Sequence, residues 1–156
     1  MNYQEAYESV KLLNSIFGRL EGVTTVEQRK AQLDLVREEL EESIKGLGNP
    51  LEELDGACDM FVTVAGYMQQ LERNGYDVQR ALQLVCENNL TKVIKEGDEE
   101  EVLKTYKKYE KDRGKFKIVT SILPQYLIVK NTQTGKVLKP ASFVSVDISD
   151  CLPKGV

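Results

Sequence analysis

Ala57-Cys58-Asp59-Met60-Phe61-Val62-Thr63-Val64-Ala65-Gly66-Tyr67-Met68 is the stretch on which the fold turns. Its apolar side chains do not keep to one stripe. With Leu51, Leu54 and Leu71 on either side they fill more than one face of a helix. A helix that is apolar almost all round sits at the centre of a bundle or in a subunit interface. Asp59 stands inside it. A carboxylate in such surroundings calls for a buried Arg or Lys, or for a metal ion.

The limits of this helix are legible on both sides. Asn49-Pro50 supplies an N-cap followed by proline at the first helical position, and Asn74-Gly75 ends it, so the predicted span is about Pro50 to Arg73. Upstream, Gly46-Leu47-Gly48 closes a helix from about Val26 to Lys45, whose packing residues are Ala31, Leu33, Leu35, Val36, Leu40 and Ile44. Thr24 or Thr25 caps it, with Glu27 or Gln28 at the capping-box distance. So short a connection makes these two helices antiparallel neighbours. In residues 2–18, Tyr3, Ala6, Tyr7, Val10, Leu13, Ile16 and Phe17 recur at helical spacing and predict an amphipathic first helix. A fourth helix is predicted from about Val78 to Ile94, with Asp77 able to cap it. The charged residues 99–112 predict a short exposed one.

Beyond Gly114 the pattern changes. Phe116 to Ser121, Tyr126 to Asn131 and Lys136 to Leu138 read as short strands, and Thr132-Gln133-Thr134-Gly135 as a hairpin turn. Phe143, Val144, Val146 and Ile148 in the tail are apolar enough to cover a neighbouring surface. The expectation is a mainly α protein: an antiparallel helical bundle over residues 1–113, and a small C-terminal β-hairpin extension over 114–156, packed on the bundle or on a partner subunit.

Composition narrows the chemistry. The 156 residues hold no histidine, which excludes imidazole ligands, a His general base and Ser–His or Cys–His pairs. Cys58, Cys86 and Cys151 form no CxxC pair; they predict a reduced, cytoplasmic protein with Cys58 and Cys86 in the core. No leader segment or membrane span is expected. A net charge of −4 argues against broad nucleic-acid binding but not against a nucleotide, whose phosphates metal ions can neutralise.

Glu38, Glu39 and Glu42 lie at helical spacing, so one face of the second helix presents all three. Asp55 and Asp59, four apart, do the same on the third. Hard oxygen donors without imidazole or thiolate favour Mg²⁺, with Mn²⁺ as the alternative. Such ions bind phosphate oxygens and lower the pKa of a water. The plain alternatives are a solvated Glu-rich face, a buried ion pair for Asp59 and a helix-dipole role for Asp55. On the fourth helix Asn89 and Lys92 share a face; Lys92 is a candidate phosphate ligand, or else a complement to the helix dipole, and Asn89 a candidate substrate ligand. Asn14, between Tyr7 and Phe17, is a candidate for the base, although core packing is the better account of the aromatics.

From about Val36 to Val93 the order of these elements resembles the all-α nucleoside triphosphate pyrophosphatases, the superfamily of MazG, phosphoribosyl-ATP pyrophosphohydrolase and dimeric dUTPase. Glu38-Glu39-x-x-Glu42 matches the first half of its signature, and Asp55-Gly56-x-x-Asp59 resembles the second. The family commonly carries glutamate where Gly56 stands, so Asp55 would substitute from one residue earlier. Asn89-x-x-Lys92 resembles the closing element, and Gly135 to Pro140 is similar to an extension in phage and bacterial MazG-like proteins.

The resemblance implies Mg²⁺-dependent hydrolysis of an NTP or dNTP to the monophosphate and pyrophosphate. It implies Glu38, Glu39, Glu42, Asp55 and Asp59 around the metal, and Glu38, Glu39 and Lys92 in catalysis. It further implies Asn89 and Lys92 on the substrate, and a homodimer or homotetramer with helices of two chains around the site. Two alternatives stay open: a phosphoribosyl-ATP pyrophosphohydrolase, and a non-catalytic metal-binding regulatory or interaction protein.

Overall fold

Capping residues set the helix ends in the computed structural model, which describes residues 1–19, 21–112 and 114–155. Helix α1 (Tyr3–Ile16) starts at a capping box that the sequence reading missed: the Asn2 side chain accepts from the Glu5 N–H, and Glu5 accepts from the Asn2 N–H. Helix α2 (Val26–Lys45) starts at the Thr25–Gln28 capping box, and α3 (Pro50–Arg73) at Asn49-Pro50, both with the predicted limits. Helix α4 (Val78–Leu90) and α5 (Glu99–Lys108) follow. The fold is mainly helical, with a small sheet toward the C-terminus.

The chain divides into two compact units: Met1–Val78 with Cys151–Val156, and Gln79–Asp150. Residues 114–150 thus share a unit with α5 and nearly all of α4. The expected domain boundary at 113/114 is a different division, and Arg113 lies outside the described residues.

In the first unit α2 and α3 run antiparallel along a seam of small and polar side chains. Gln32 donates to the Thr63 carbonyl at 2.9 Å and lies over Gly66; Ser43 lies over Gly56; Gly46 lies over Glu52. Helix α1 joins α3 through Gln69, which is 1% exposed: Gln69 donates to the Tyr7 carbonyl and accepts from Asn14 at 3.0 Å. The far end of α3 ties down the α1–α2 loop. Asn74 exchanges three hydrogen bonds with Thr24, and the Arg73 guanidinium donates to the carbonyls of Arg19, Glu21 and Gly22.

Among the described residues, the buried apolar side chains of this unit are Val10, Ala65 and Cys151. Leu51 (72% exposed), Leu54 (66%), Cys58 and Val62 form an open stripe on α3. Two expectations are corrected here. Cys58 is exposed, not a core residue, and so is Cys86 in the second unit. Asp59 is exposed as well, because the face of α3 it shares with Cys58 and Val62 is uncovered within one chain.

The second unit is built on β3 (Tyr126–Asn131), which pairs antiparallel with β2 (Phe116–Thr120), β1 (Ile94–Lys95) and β4 (Val137–Leu138). Strand β1 corrects the predicted end of the fourth helix: that helix stops at Leu90, and Ile94 turns into the sheet opposite Leu127, where it is 1% exposed. Burying a β-branched side chain against a central strand outweighs one further turn of an exposed helix. Val129, Thr105 and Pro140 complete this core.

Candidate functional site

The register of α2 against α3 positions the carboxylates. With Gln32 over Gly66 on one side and Ser43 over Gly56 on the other, an antiparallel pair brings Glu39 opposite Asp59. The electrostatics agree. The Glu39 carboxyl is held above its ordinary value, first by partial burial and then by the charges of Asp59, Glu42, Glu38 and Asp55, in that order. All five acidic side chains singled out from the sequence therefore act on one region of the first unit. Glu38, Glu42, Asp55 and Asp59 are exposed and Glu39 is half-buried. Among the described residues, none of the five forms an ion pair with a Lys or Arg.

Oxygen donors alone, with no compensating cation, suit Mg²⁺ or Mn²⁺ in chemistry. Among the described residues no three Asp or Glu side chains already close on one point. Gathering them round an ion takes rotation of Glu38, Glu42, Asp55 and Asp59, which are exposed, about the half-buried Glu39.

Gly56 separates the two aspartates in role. A Cβ there would meet the Ser43 Oγ at 2.3 Å and the Ser43 Cα at 3.2 Å. Position 56 points into the helix seam, and a glutamate has no room there while α2 and α3 keep this spacing. Asp55, one residue away, projects about 100° round the helix and remains exposed.

The same stripe of α2 continues beyond the acids. Gln28, Gln32 and Leu35, with Thr24 and Gln70, border a cleft of about 420 Å³. Leu35 and Glu39 are about one helical turn apart, roughly 6 Å. The Gln70 Oε1 is buried with no hydrogen-bond partner among the described residues. Sequence reading did not find this cleft; the repeat of glutamine at Gln28 and Gln32 on the acid-bearing face was its one local sign.

Asn14, expected to face a base, spends its amide on Gln69. The Tyr7 hydroxyl nearby is buried without a hydrogen bond of good geometry among the described residues, and burial, then the Glu72 carboxylate, raises its pKa far above the ordinary phenol value. Asn89 and Lys92 belong to the second unit and meet each other there: the Lys92 ammonium donates to the Asn89 Oδ1 at 2.6 Å.

Comparison of the chain with protein families, with curated proteins and with solved structures gave no match. Among the described residues no helix is long and apolar enough to cross a membrane.

Proposed function

We propose that this chain is a MazG-like, Mg²⁺-dependent nucleoside triphosphate pyrophosphohydrolase that releases a monophosphate and pyrophosphate. The observation that carries the reading is the Glu39–Asp59 juxtaposition across two antiparallel helices, with Glu38, Glu42 and Asp55 acting on the same carboxyl. Glu38, Glu39, Glu42, Asp55 and Asp59 would hold the metal, which when bound supplies charge neutralisation for phosphate oxygens and a more acidic water.

The chain's own contribution follows from its geometry. The cleft bordered by Gln28, Gln32 and Gln70 lies about one turn from the acids and is the space beside them for a nucleoside. A water oxygen attacks the α-phosphorus, the bond from that phosphorus to the bridging oxygen breaks, and the water's proton passes to a carboxylate, Glu38 or Glu39. Pyrophosphate is the leaving group.

The open apolar stripe of α3 supports assembly as a homodimer or homotetramer. A unit with three buried apolar side chains among its described residues lacks the core a domain of its size requires. A second subunit on Leu51, Leu54 and Val62 would supply it and would enclose the neighbouring aspartates.

The test is a panel of NTPs and dNTPs, with phosphoribosyl-ATP, incubated with the protein and Mg²⁺. The expected products are monophosphate and pyrophosphate. No turnover of any substrate overturns the enzyme reading, and release of orthophosphate overturns cleavage between the α and β phosphates. The closed position at Gly56 favours one second reading, a non-catalytic metal-binding regulatory protein. It predicts Mg²⁺ binding with no turnover.

A further inference from the structure

Residues 139–144 carry no helix or strand, yet they are fastened along their length. The Lys139 carbonyl accepts from the Tyr109 hydroxyl at 2.8 Å and from the Lys108 ammonium at 3.3 Å. The Pro140 carbonyl accepts from Lys108 at 2.9 Å. The Ala141 N–H donates to the Thr105 hydroxyl, and the Ser142 N–H to the Glu101 carboxylate. The Val144 carbonyl accepts from the Asn88 amide at 2.8 Å. Pro140 itself is fully buried. An irregular segment whose backbone is tied to neighbouring side chains at five of its six residues has lost the mobility usual for a loop.

What the strap holds is a pair of cations on one ring. The Lys139 Nζ stands 4.6 Å from the Phe143 ring centroid, and the Lys92 Nζ stands 5.9 Å from the same centroid. The aromatic face attracts both ammoniums without neutralising either. Among the described residues neither lysine has a carboxylate at ion-pair distance. Lys92 has one polar partner, the neutral Asn89 amide oxygen. Two ammoniums drawn to one ring, neither with a carboxylate partner among the described residues, present positive charge complementary to a multiply charged anion.

We propose that Lys92 and Lys139, gathered on Phe143 by the 139–144 strap, form a binding site for a polyphosphate anion, either free pyrophosphate or the phosphate tail of a nucleotide. The inference rests on the phosphate chemistry of the function proposed above. It adds Lys139 and Phe143, and it gives the C-terminal region a role in holding phosphate. Ammoniums act as point charges and serve phosphoryl oxygens in many orientations.

The experiment is isothermal titration calorimetry of the full chain in metal-free buffer. One arm uses pyrophosphate and the other a nucleotide with a non-hydrolysable α–β bridge. Lys139→Gln should weaken binding about tenfold, the loss of one charge-assisted contact. Lys139→Arg should stay within about twofold. Lys136→Gln, which removes an equal charge from an exposed position nearby, should match the wild type. Weakening in the pyrophosphate arm assigns the free anion, and weakening in the nucleotide arm alone assigns the tail. Wild-type affinity of Lys139→Gln in both arms overturns the proposal, as does an equal loss in Lys136→Gln. Circular dichroism of each variant reports folding. Because no turnover is measured, a failure here is distinct from a failure of the hydrolase reading.

Discussion

Ser43 lies directly over Gly56, so closely that a Cβ at position 56 would stand 2.3 Å from the serine oxygen and 3.0 Å from its Cβ. The serine is fixed in turn by its bond to the Glu39 carbonyl at 2.8 Å, one turn back along α2. The contact sets the spacing of the two acid-bearing helices.

Gly56→Ala should therefore lower stability although alanine is the better helix former by about 1 kcal/mol. Overpacking costs about 1–3 kcal/mol, which leaves a net loss of about 1 kcal/mol in urea denaturation. Ser43→Gly made together with Gly56→Ala should recover part of it. A stabilised Gly56→Ala single variant would mean that the seam is looser than described. Gly56→Glu should lose more stability than Gly56→Ala and should not raise activity.

The acids should rank by position. Asp59→Asn and Glu39→Gln should each reduce pyrophosphate release by about 100-fold or more, the order of effect of disturbing a metal's ligands, with helicity unchanged. Asp55→Asn, one residue off the seam, should lose about tenfold. Full activity in Asp59→Asn would place the site elsewhere.

The raised pKa of Glu39 gives a signed pH dependence. Folded chain binds that proton more tightly than unfolded chain. The resulting destabilisation is present above the folded pKa and is lost as pH falls toward the unfolded value. In metal-free buffer at pH 7, Glu39→Gln should melt above the wild type, and the gap should close on acidification. Mg²⁺ should raise the wild-type melting temperature at pH 7 by binding the folded form, and less so in the variant. A variant that melts lower at pH 7 contradicts the assignment.

The bare stripe on α3 makes assembly measurable. Light scattering coupled to size exclusion should give a dimer or tetramer. Leu54→Glu, at a position 66% exposed in the single chain, should shift it to smaller species. A monomeric wild type at micromolar concentration would remove the support for a site shared between chains.

Much of the first unit was legible because its signals are local. Thr25 with Gln28, Asn49 with Pro50, and Asn74 with Gly75 are contacts within a turn, and they set α2 and α3 to the predicted residues. The fourth helix was overextended for the opposite reason: Ile94 suits a helix locally and is taken by a strand more than thirty residues downstream. The burial of Cys58 and Asp59 was misjudged because an apolar helix predicts a covered face without telling whether the cover belongs to the same chain.

For the acids, the sequence by itself determined which side chains share a helical face, since a period of 3.6 residues follows from covalent geometry and backbone hydrogen bonds alone. The tertiary structure alone decided the register that sets Glu39 against Asp59, because small and polar contacts such as Ser43 on Gly56 choose it and no periodicity encodes them. It alone decided that Lys139 meets Lys92 on Phe143: residues nearly fifty apart are joined by a strap whose course depends on carbonyls and hydroxyls that leave no pattern in the chain.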